Sequence, residues 1–229
     1  MLCYHSTVRQ NAKGGRFITF EGLDGCGKST HLERLAAVLR AEGLEVLTTR
    51  EPGGTETGER VRSILLDSRT HGLAPLAELA LVFASRAQHI SELILPALNR
   101  GAWVLCDRFT DSSEAYQGAG RQLGVETVLT LHRVLCLGLQ PDLTLLLDND
   151  VAASVARAHR RNLAASGEVD ENRFEQESRG FFERVHQQFM VIAHRDVERV
   201  VLIDAHRSLE AVHNEVVAAV RQRLLPRQG

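Results

Sequence analysis

The chain has 229 residues, which is enough for one α/β domain with a single well-formed core and short for two domains. Its composition is that of a globular protein, with 44% hydrophobic and 24% charged residues. The formal net charge of −2 argues against a nucleic acid as a standing partner, and no apolar run is long enough to suggest a membrane span.

Cysteine spacing and the amino terminus indicate a cytoplasmic protein. Cys3, Cys26, Cys106 and Cys136 form neither a CxxC pair nor a metal-ligand pattern, so we expect free thiols in a reducing compartment. Residues 1–15 lack the apolar segment of a signal peptide and are expected to form a disordered tail. The basic residues are 25 Arg and two Lys, which leaves room for arginines that hold phosphates with two hydrogen bonds each.

Strands and helices alternate along the chain. Short β-branched and apolar runs predict strands at 16–21, 45–49, 103–107, 143–148 and 200–204. Helical periodicity predicts one helix from the glycine-rich turn to Gly43 and others at 57–66, 75–100, 125–138, 151–161, 174–195 and 208–224. Pro96 is expected to kink or divide the helix 75–100. The strands are almost continuously apolar, as in a parallel sheet covered on both faces. The expected fold is therefore a three-layer α/β/α domain over 16–229, with a five-stranded parallel sheet and a flexible insertion at 162–172.

The segment "GLDGCGKS" (22–29) is the strongest motif. It fits G-x-x-x-x-G-K-[ST] between a predicted strand and a predicted helix, and with this composition a chance match is expected about once in a thousand such chains. Its glycines allow backbone N–H groups to surround phosphate oxygens at a helix N-terminus, Lys28 can reach the β- and γ-phosphates, and Ser29 can offer its hydroxyl to Mg²⁺. The sequence thus predicts a P-loop domain with ATP and Mg²⁺ as ligands. The residues assigned to ATP are Gly22, Leu23, Asp24, Gly25, Cys26, Gly27, Lys28, Ser29 and Thr30.

Other residues at strand ends suggest a second anion. Asp107 and Arg108 follow the third strand, where Asp107 could hold the hydrated Mg²⁺ and Arg108 a second phosphate, and Arg62 could reach the same anion. Phe83 and Arg86 share a helix face and form a possible base-reading pair, although an isolated Phe is usually a core residue.

Three functional classes are compatible with a P-loop. A GTPase would normally carry an N-K-x-D motif, which this chain lacks. A kinase acting on a nucleoside or a small alcohol would not need the arginine pair Arg62 and Arg108. A non-catalytic nucleotide-binding regulator would be expected to have lost Lys28, Asp107 or the arginines within 157–173, and all of these are present.

In order along the chain, the segments "FEGLDGCGKST", "TREPGGT", "VFASRAQ", "LCDRFTDSSEAYQGAGR", "PDLTLLLD" and "NRFEQE" resemble thymidylate kinases of the bacterial type. The resemblance covers about 16–225, and "REPGG" and "DRFTDSSEAYQG" are its specific parts. It implies transfer of the ATP γ-phosphoryl group to dTMP with Mg²⁺, in a cytoplasmic homodimer for which the helix 75–100 is a candidate surface.

The resemblance also implies residue roles. Asp24 would contact the sugar and phosphate region of the acceptor, and Glu51, Arg62 and Arg108 would surround its phosphate. Phe83 would stack on thymine and Arg86 would donate to its O4, while Tyr116 would disfavour a ribose 2′-OH. The polar wall near the base is assigned to Ser112, Ser113 and Gln117.

Phosphoryl transfer also needs a positive side chain that neutralises charge on the transferred phosphoryl group. Some members of the family carry an arginine in the P-loop at the position of Gly25, whereas others take it from the lid, as this chain would have to. The resemblance places this lid at about 157–173, and its arginines are Arg157, Arg160, Arg161 and Arg173. We expect Arg161, with Arg157 one turn before it, to act on the phosphates together with Lys28, Asp24 and Arg108. Cys26, at the helix N-terminus, is expected to be a small filler and not a reactive thiol.

Overall fold

The computed structural model describes residues 14–164 and 173–225; the side chains of His159 and of residues 161–164 lie outside this description. Five strands form one sheet: β1 (Phe17–Glu21), β2 (Val46–Arg50), β3 (Trp103–Asp107), β4 (Leu143–Asp148) and β5 (Val200–Asp204). All neighbouring strands are parallel, in the order β2-β3-β1-β4-β5. β1 is central, so the P-loop that follows it lies in the middle of the carboxyl edge.

Helices cover both faces of the sheet. The α-helices are α1 (Lys28–Ala41), α2 (Glu56–Leu66), α3 (Pro75–His89), α4 (Leu95–Arg100), α5 (Thr110–Ser113), α6 (Val125–Leu135), α7 (Val151–Ala164), α8 (Arg179–Arg195) and α9 (Leu209–Leu224). Buried side chains of α1 and α9 pack on one face, and those of α3, α4 and α8 pack on the other. The predicted three-layer fold with five parallel strands is confirmed.

The predicted helix over 75–100 is divided, as Pro96 suggested. α3 passes into a π-helical turn at Ile90–Ile94 before α4 begins. A proline cannot donate to the carbonyl four residues earlier and its ring collides with that carbonyl, and a wider turn just before Pro96 accommodates both effects.

Two helical predictions need correction. The segment 174–195 is not one helix: Phe174–Gln176 forms a 3₁₀ turn, and α8 begins only after Ser178, whose hydroxyl accepts from the Phe181 N–H. In addition, α5 and a π-helix at Glu114–Gly120 were not predicted. Their polar, glycine-containing sequence has little helical periodicity, and packing against α6 and α8 decides their conformation.

The expectations for the chain ends and the lid are tested only in part. Residues 1–13, 165–172 and 226–229 lie outside the described residues, and with them most of the predicted tail and of the insertion 162–172. Gly15 is buried, with the backbone carbonyls of Leu98 and Ala102 beside it, so the packed domain already includes this residue. Across the described ranges, none of the helices has both the length and the apolar character needed to cross a bilayer.

Candidate active site

The P-loop is shaped by glycines with positive φ. Gly22, Gly25 and Gly27 have φ of 131°, 81° and 103°, and Gly27 is the N-cap residue that precedes α1. A Cβ on Gly25 would lie 2.3 Å from the Ser154 carbonyl oxygen of α7, so α7 occupies the space that a side chain at 25 would need. An arginine at this position would collide with α7 as it lies in this structure.

The two polar residues that begin α1 face different partners. Lys28 is buried, and its Nζ donates to the carbonyl oxygens of Gly22 and Leu23 at 3.2 and 2.9 Å. The Ser29 hydroxyl donates to the Asp107 carboxylate at 2.6 Å. The structure thus brings together the two oxygen groups that were predicted to hold Mg²⁺, and hard oxygen ligands of this kind suit that ion.

Arg108 lies at the centre of the site, immediately after β3. Its φ of +73° is unusual for a residue with a side chain, and its N–H donates to the Phe20 carbonyl at 2.9 Å. The guanidinium donates to Asp24 at 2.7 Å and to the Tyr116 hydroxyl at 3.1 Å. Although desolvation opposes its charge, the Arg108 and Lys28 charges hold the pKa of Asp24 well below its usual range. Asp24 and Arg108 therefore form a charged pair beside the P-loop.

Two adjoining cavities open at the carboxyl edge of the sheet. The first, of about 550 Å³, contains the P-loop, Ser29 and Asp107. The second, of about 140 Å³, extends between α2, α3 and the segment 112–117. The residues that line both cavities are Asp24, Glu51, Arg62 and Arg108. A ligand in the second cavity would thus meet a ligand of the P-loop at a group of two arginines and two carboxylates.

Polar groups line the inner end of the second cavity. Arg86 is 2% exposed, and its guanidinium donates to Glu51 at 2.6 Å and to the Ser113 hydroxyl at 2.9 Å. Its Nη1 is buried and has no hydrogen-bond partner within the described part of the chain. A buried, unpaired guanidinium nitrogen beside a cavity is suited to donate to a carbonyl oxygen of a ligand.

The prediction for Phe83 is wrong in this structure. Its ring is 0% exposed in the core between α3 and the sheet, and Val82, one residue earlier, lines the cavity instead. Arg86 stacks on the Phe83 ring, with 4.8 Å between the guanidinium carbon and the ring centroid, so Phe83 supports Arg86 from the core side. Another ring, that of Phe174, lines the cavity, together with Tyr116, Ser112 and Gln117.

The four lid arginines are not equivalent. Arg157 and Arg160 are both exposed, but only Arg157 is among the residues that line the P-loop cavity. The side chain of Arg161, the first candidate from the sequence, lies outside the description. Arg173 donates to Glu78 at 2.8 Å and to the Leu65 carbonyl, so it anchors its own segment and is not directed at the P-loop.

Sequence reasoning missed three buried polar residues that support the site. Glu21 accepts from the Phe109 N–H at 2.7 Å and from the Ser112 hydroxyl at 2.5 Å. His89 lies between the Thr49 hydroxyl at 2.7 Å and the Glu51 carboxylate at 2.9 Å, and Glu78 accepts from three side chains. Polar residues inside apolar runs, as in "ITFEG" and "AELAL", are the signal that could have identified Glu21 and Glu78.

The thiols of the described residues are free and buried. These are Cys26, Cys106 and Cys136. Burial raises the pKa of the Cys26 thiol despite the nearby Lys28 charge, so the thiolate is disfavoured and the interpretation of Cys26 as a small filler is supported.

A P-loop in the middle of a parallel sheet, joined to a second cavity lined with arginines, defines a P-loop nucleotide-binding protein of the kinase class. Its sequence relatives narrow this class. A family model described as thymidylate kinase matches residues 20–216, and the chain belongs to that family.

Individual relatives agree with this assignment. A thymidylate kinase of Pseudomonas putida (strain GB-1) is 52% identical over 89% of this chain and 94% of its own length. A thymidylate kinase of Alkalilimnicola ehrlichii is 50% identical over 86% and 88%, respectively. The crystal structure of thymidylate kinase from Ehrlichia chaffeensis superposes with a TM-score of 0.72 at 33% identity, and the match covers 90% of this chain and 99% of that one. The resemblance inferred from the sequence motifs is confirmed.

Proposed function

We propose that this protein transfers the γ-phosphoryl group of ATP to dTMP, forming dTDP and ADP. The observation that carries the proposal is the junction of the two cavities at Asp24, Glu51, Arg62 and Arg108. A nucleotide on the P-loop and a nucleoside monophosphate in the second cavity would meet there phosphate to phosphate. Phosphoryl transfer depends on such positioning and on neutralisation of charge around the reacting oxygens.

ATP is bound by residues 22–30 in this proposal. Backbone N–H groups of the glycine-rich turn and of the first turn of α1 surround its phosphates. Lys28 exchanges its two carbonyl partners for phosphate oxygens, which are stronger acceptors because they are charged. Ser29 and Asp107 would hold Mg²⁺, which neutralises phosphate charge when it is bound.

The acceptor phosphate lies at the junction. Arg108 is already oriented by Asp24, Ser112 and Tyr116, and Arg62 lines both cavities while donating to the Pro52 carbonyl at 3.1 Å. Two arginines can hold a phosphate dianion through several charge-assisted hydrogen bonds. A nucleoside without a phosphate would leave both unused.

The thymine base occupies the inner end of the second cavity. The unpaired Nη1 of Arg86 donates to the carbonyl at C4, and Ser113 and Gln117 complete the polar wall. Val82 and Phe174 supply the apolar surface for the base, in place of Phe83. Tyr116 lies beside the sugar, where a ribose 2′-OH would be disfavoured.

Arg157, with Arg161 one turn further along α7, supplies the remaining positive charge over the phosphates. α7 presents Arg157 to the P-loop cavity and also fills the space beside Gly25. The lid position thereby replaces an arginine within the loop itself.

A cytoplasmic homodimer remains the expected form of the enzyme. The stretch 75–100 is still the candidate surface between copies, and its Leu76 side chain is 62% exposed. Sedimentation equilibrium of the wild-type protein and of Leu76→Glu would test this arrangement: a dimer that persists unchanged in the variant would rule out contact through this residue.

The function is tested by a coupled ADP-release assay with ATP and Mg²⁺, offering dTMP, dUMP, dCMP, dGMP, thymidine or no acceptor. We expect activity with dTMP and weaker activity with dUMP, because one methyl group contributes only about 1–3 kcal/mol to discrimination. Activity with thymidine but not dTMP would contradict the roles of Arg62 and Arg108. ADP release without any acceptor would indicate an ATPase, and no release at all would indicate a non-catalytic nucleotide-binding protein.

A further inference from the structure

One buried carboxylate connects three segments around the second cavity. Glu78, on α3, is 0% exposed. Its Oε1 accepts from the Gln117 amide nitrogen at 2.9 Å. Its Oε2 accepts from the Nη2 groups of Arg121 at 3.0 Å and Arg173 at 2.8 Å, and the Arg121 Nε lies 3.2 Å from both carboxylate oxygens. Gln117 lines the cavity, whereas Glu78 does not.

The chemistry of this carboxylate fixes the orientation of its amide neighbour. Although burial opposes the charge, hydrogen bonds from Arg121, Gln117 and Arg173 hold the pKa of Glu78 below its usual value, so the side chain is ionised. A carboxylate can only accept hydrogen bonds. The NH₂ group of Gln117 must therefore face Glu78, and its carbonyl oxygen is directed to the opposite edge of the amide.

We propose that Glu78 is a positioning residue that makes Gln117 present a hydrogen-bond acceptor, and not a donor, to the base in the second cavity. The inference rests on the proposed function, in which that base is thymine. Thymine carries N–H at N3 and so can donate to the Gln117 carbonyl, whereas cytosine has an unprotonated N3 that can only accept. Glu78 thus contributes to the choice of thymine over cytosine without touching either base.

Replacing Glu78 by Gln changes this arrangement in a defined way. The variant side chain has one oxygen, which the Nη2 groups of Arg121 and Arg173 retain because charge-assisted bonds are the stronger ones. The Arg121 Nε, which lies at equal distance from both carboxylate oxygens, keeps its bond to that same oxygen. Its NH₂ group then faces Gln117, whose own NH₂ must turn away to avoid two opposed donors. Gln117 would present a donor to the cavity, which matches N3 of cytosine.

The experiment measures kcat/KM for dTMP and for dCMP at saturating ATP. For Glu78→Gln we expect the dTMP value to fall at least tenfold and the dTMP:dCMP ratio to fall at least tenfold, with KM for ATP within twofold of wild type. Glu183→Gln is the matched control, because Glu183 pairs with Arg179 on the surface of α8. It should change neither kcat/KM for dTMP nor the dTMP:dCMP ratio. Equal losses for both acceptors in Glu78→Gln would overturn the proposal.

A second variant tests whether Glu78 acts by orienting Gln117 or only by supporting the fold around it. Gln117→Met removes the amide, so adding Glu78→Gln to it should leave the dTMP:dCMP ratio within twofold of Gln117→Met alone; a further fall would overturn the proposal. Gln117→Met by itself also decides the orientation if Glu78→Gln does not fold. A carbonyl facing the base predicts a lower ratio, and an NH₂ facing the base predicts a higher one.

The outcomes distinguish this inference from the function on which it rests. Wild-type protein without activity on dTMP contradicts the proposed function. Wild-type activity on dTMP with an unchanged ratio in Glu78→Gln contradicts only the role of Glu78.

Discussion

At the scale of single residues, the site depends on charges that neighbouring side chains hold in place. Arg108 is held by Asp24, Ser112 and Tyr116, and the backbone N–H that follows it donates to Glu21. Such preorganisation reduces the reorganisation needed when phosphate charge develops. It also buries ionisable groups, and these have consequences for stability.

Glu21 should make the protein less stable as pH rises. Burial raises the pKa of Glu21 to about 7, and the Asp111 charge acts in the same direction. Between about pH 4.5 and 7 the folded state therefore holds a proton that the unfolded state has lost, so the free energy of unfolding falls over this interval. Glu21→Gln keeps the neutral form, and we expect it to match wild type near pH 4.5 and to exceed it by up to about 3 kcal/mol at pH 8.

Urea unfolding of both proteins at pH 5 and pH 8 measures this effect. The other titrating groups contribute equally to both proteins, so they cancel when the free energy of unfolding of wild type is subtracted from that of the variant. A difference that does not grow with pH would show that Glu21 is ionised in the folded protein.

Gly25 should tolerate no side chain. Gly25→Ala places a Cβ 2.3 Å from the Ser154 carbonyl in a backbone conformation with φ +81°. The backbone conformation alone costs about 1–3 kcal/mol for a residue with a side chain, and the steric conflict with α7 adds to this. We expect a larger loss of stability than for the control Gly43→Ala, together with weaker ATP binding.

Gly43 has nearly the same φ, +84°, but open space around it, so Gly43→Ala measures the cost of the backbone conformation without the conflict with α7. Thermal unfolding and ATP titration of both proteins test the prediction. Equal losses of stability would contradict the close approach of α7.

At the scale of elements, α7 has two roles that its sequence shows only in part. Its backbone closes the space beside the P-loop, and its Arg157 lines the cavity that contains Lys28. A helix that does both links the position of the lid to the position of the phosphates. The opposite end of the lid is fixed by Arg173, which is bound to Glu78.

Arg157→Ala should lower kcat more than Arg160→Ala does. An arginine that neutralises charge at the transferred phosphoryl group contributes roughly 10³-fold or more to the rate. The exposed Arg160 lies outside the lining of the P-loop cavity and is the matched control, expected to stay within a few-fold of wild type. Steady-state kinetics at saturating ATP and dTMP provide the measurement, and Arg161→Ala completes the series. If none of these variants lowers kcat beyond a few-fold, the lid does not supply the catalytic charge.

At the scale of the whole molecule, the parallel sheet brings donor and acceptor cavities to one edge. β1 and β3 are neighbours, so the P-loop after one and Arg108 after the other lie side by side. The two cavities share four residues and are therefore parts of one continuous site.

A compound that joins adenosine to thymidine through a chain of phosphates should stabilise the protein more than ATP or dTMP alone. At a thousandfold excess over its Kd, a ligand stabilises the folded state by about 4 kcal/mol, which for a chain of this size raises Tm by roughly 8–16 °C. Arg62→Ala should reduce this shift, because Arg62 lines both cavities. A thermal shift no greater than that with ATP alone would show that the two cavities are not filled together.

The chain of amino acids by itself determined the fold class, the P-loop and the family. Each of these depends on local signals: apolar runs of strand length, glycines where the backbone must turn, and motifs whose residues are neighbours along the chain. The same signals placed Ser29 near Asp107 and Arg108, because the segments that follow parallel strands meet at one edge. Arg62 lies inside α2, so its position is set by how that helix packs.

Only the tertiary structure decided which side of a helix faces the site and which buried charges support it. Phe83 and Val82 are adjacent on α3, yet packing against the sheet buries the first and leaves the second in the cavity wall. Glu78 and Arg173 are 95 residues apart, and no local pattern relates them. The physical reason is that the desolvation of a charge depends on everything packed around it, and those neighbours come from distant parts of the sequence.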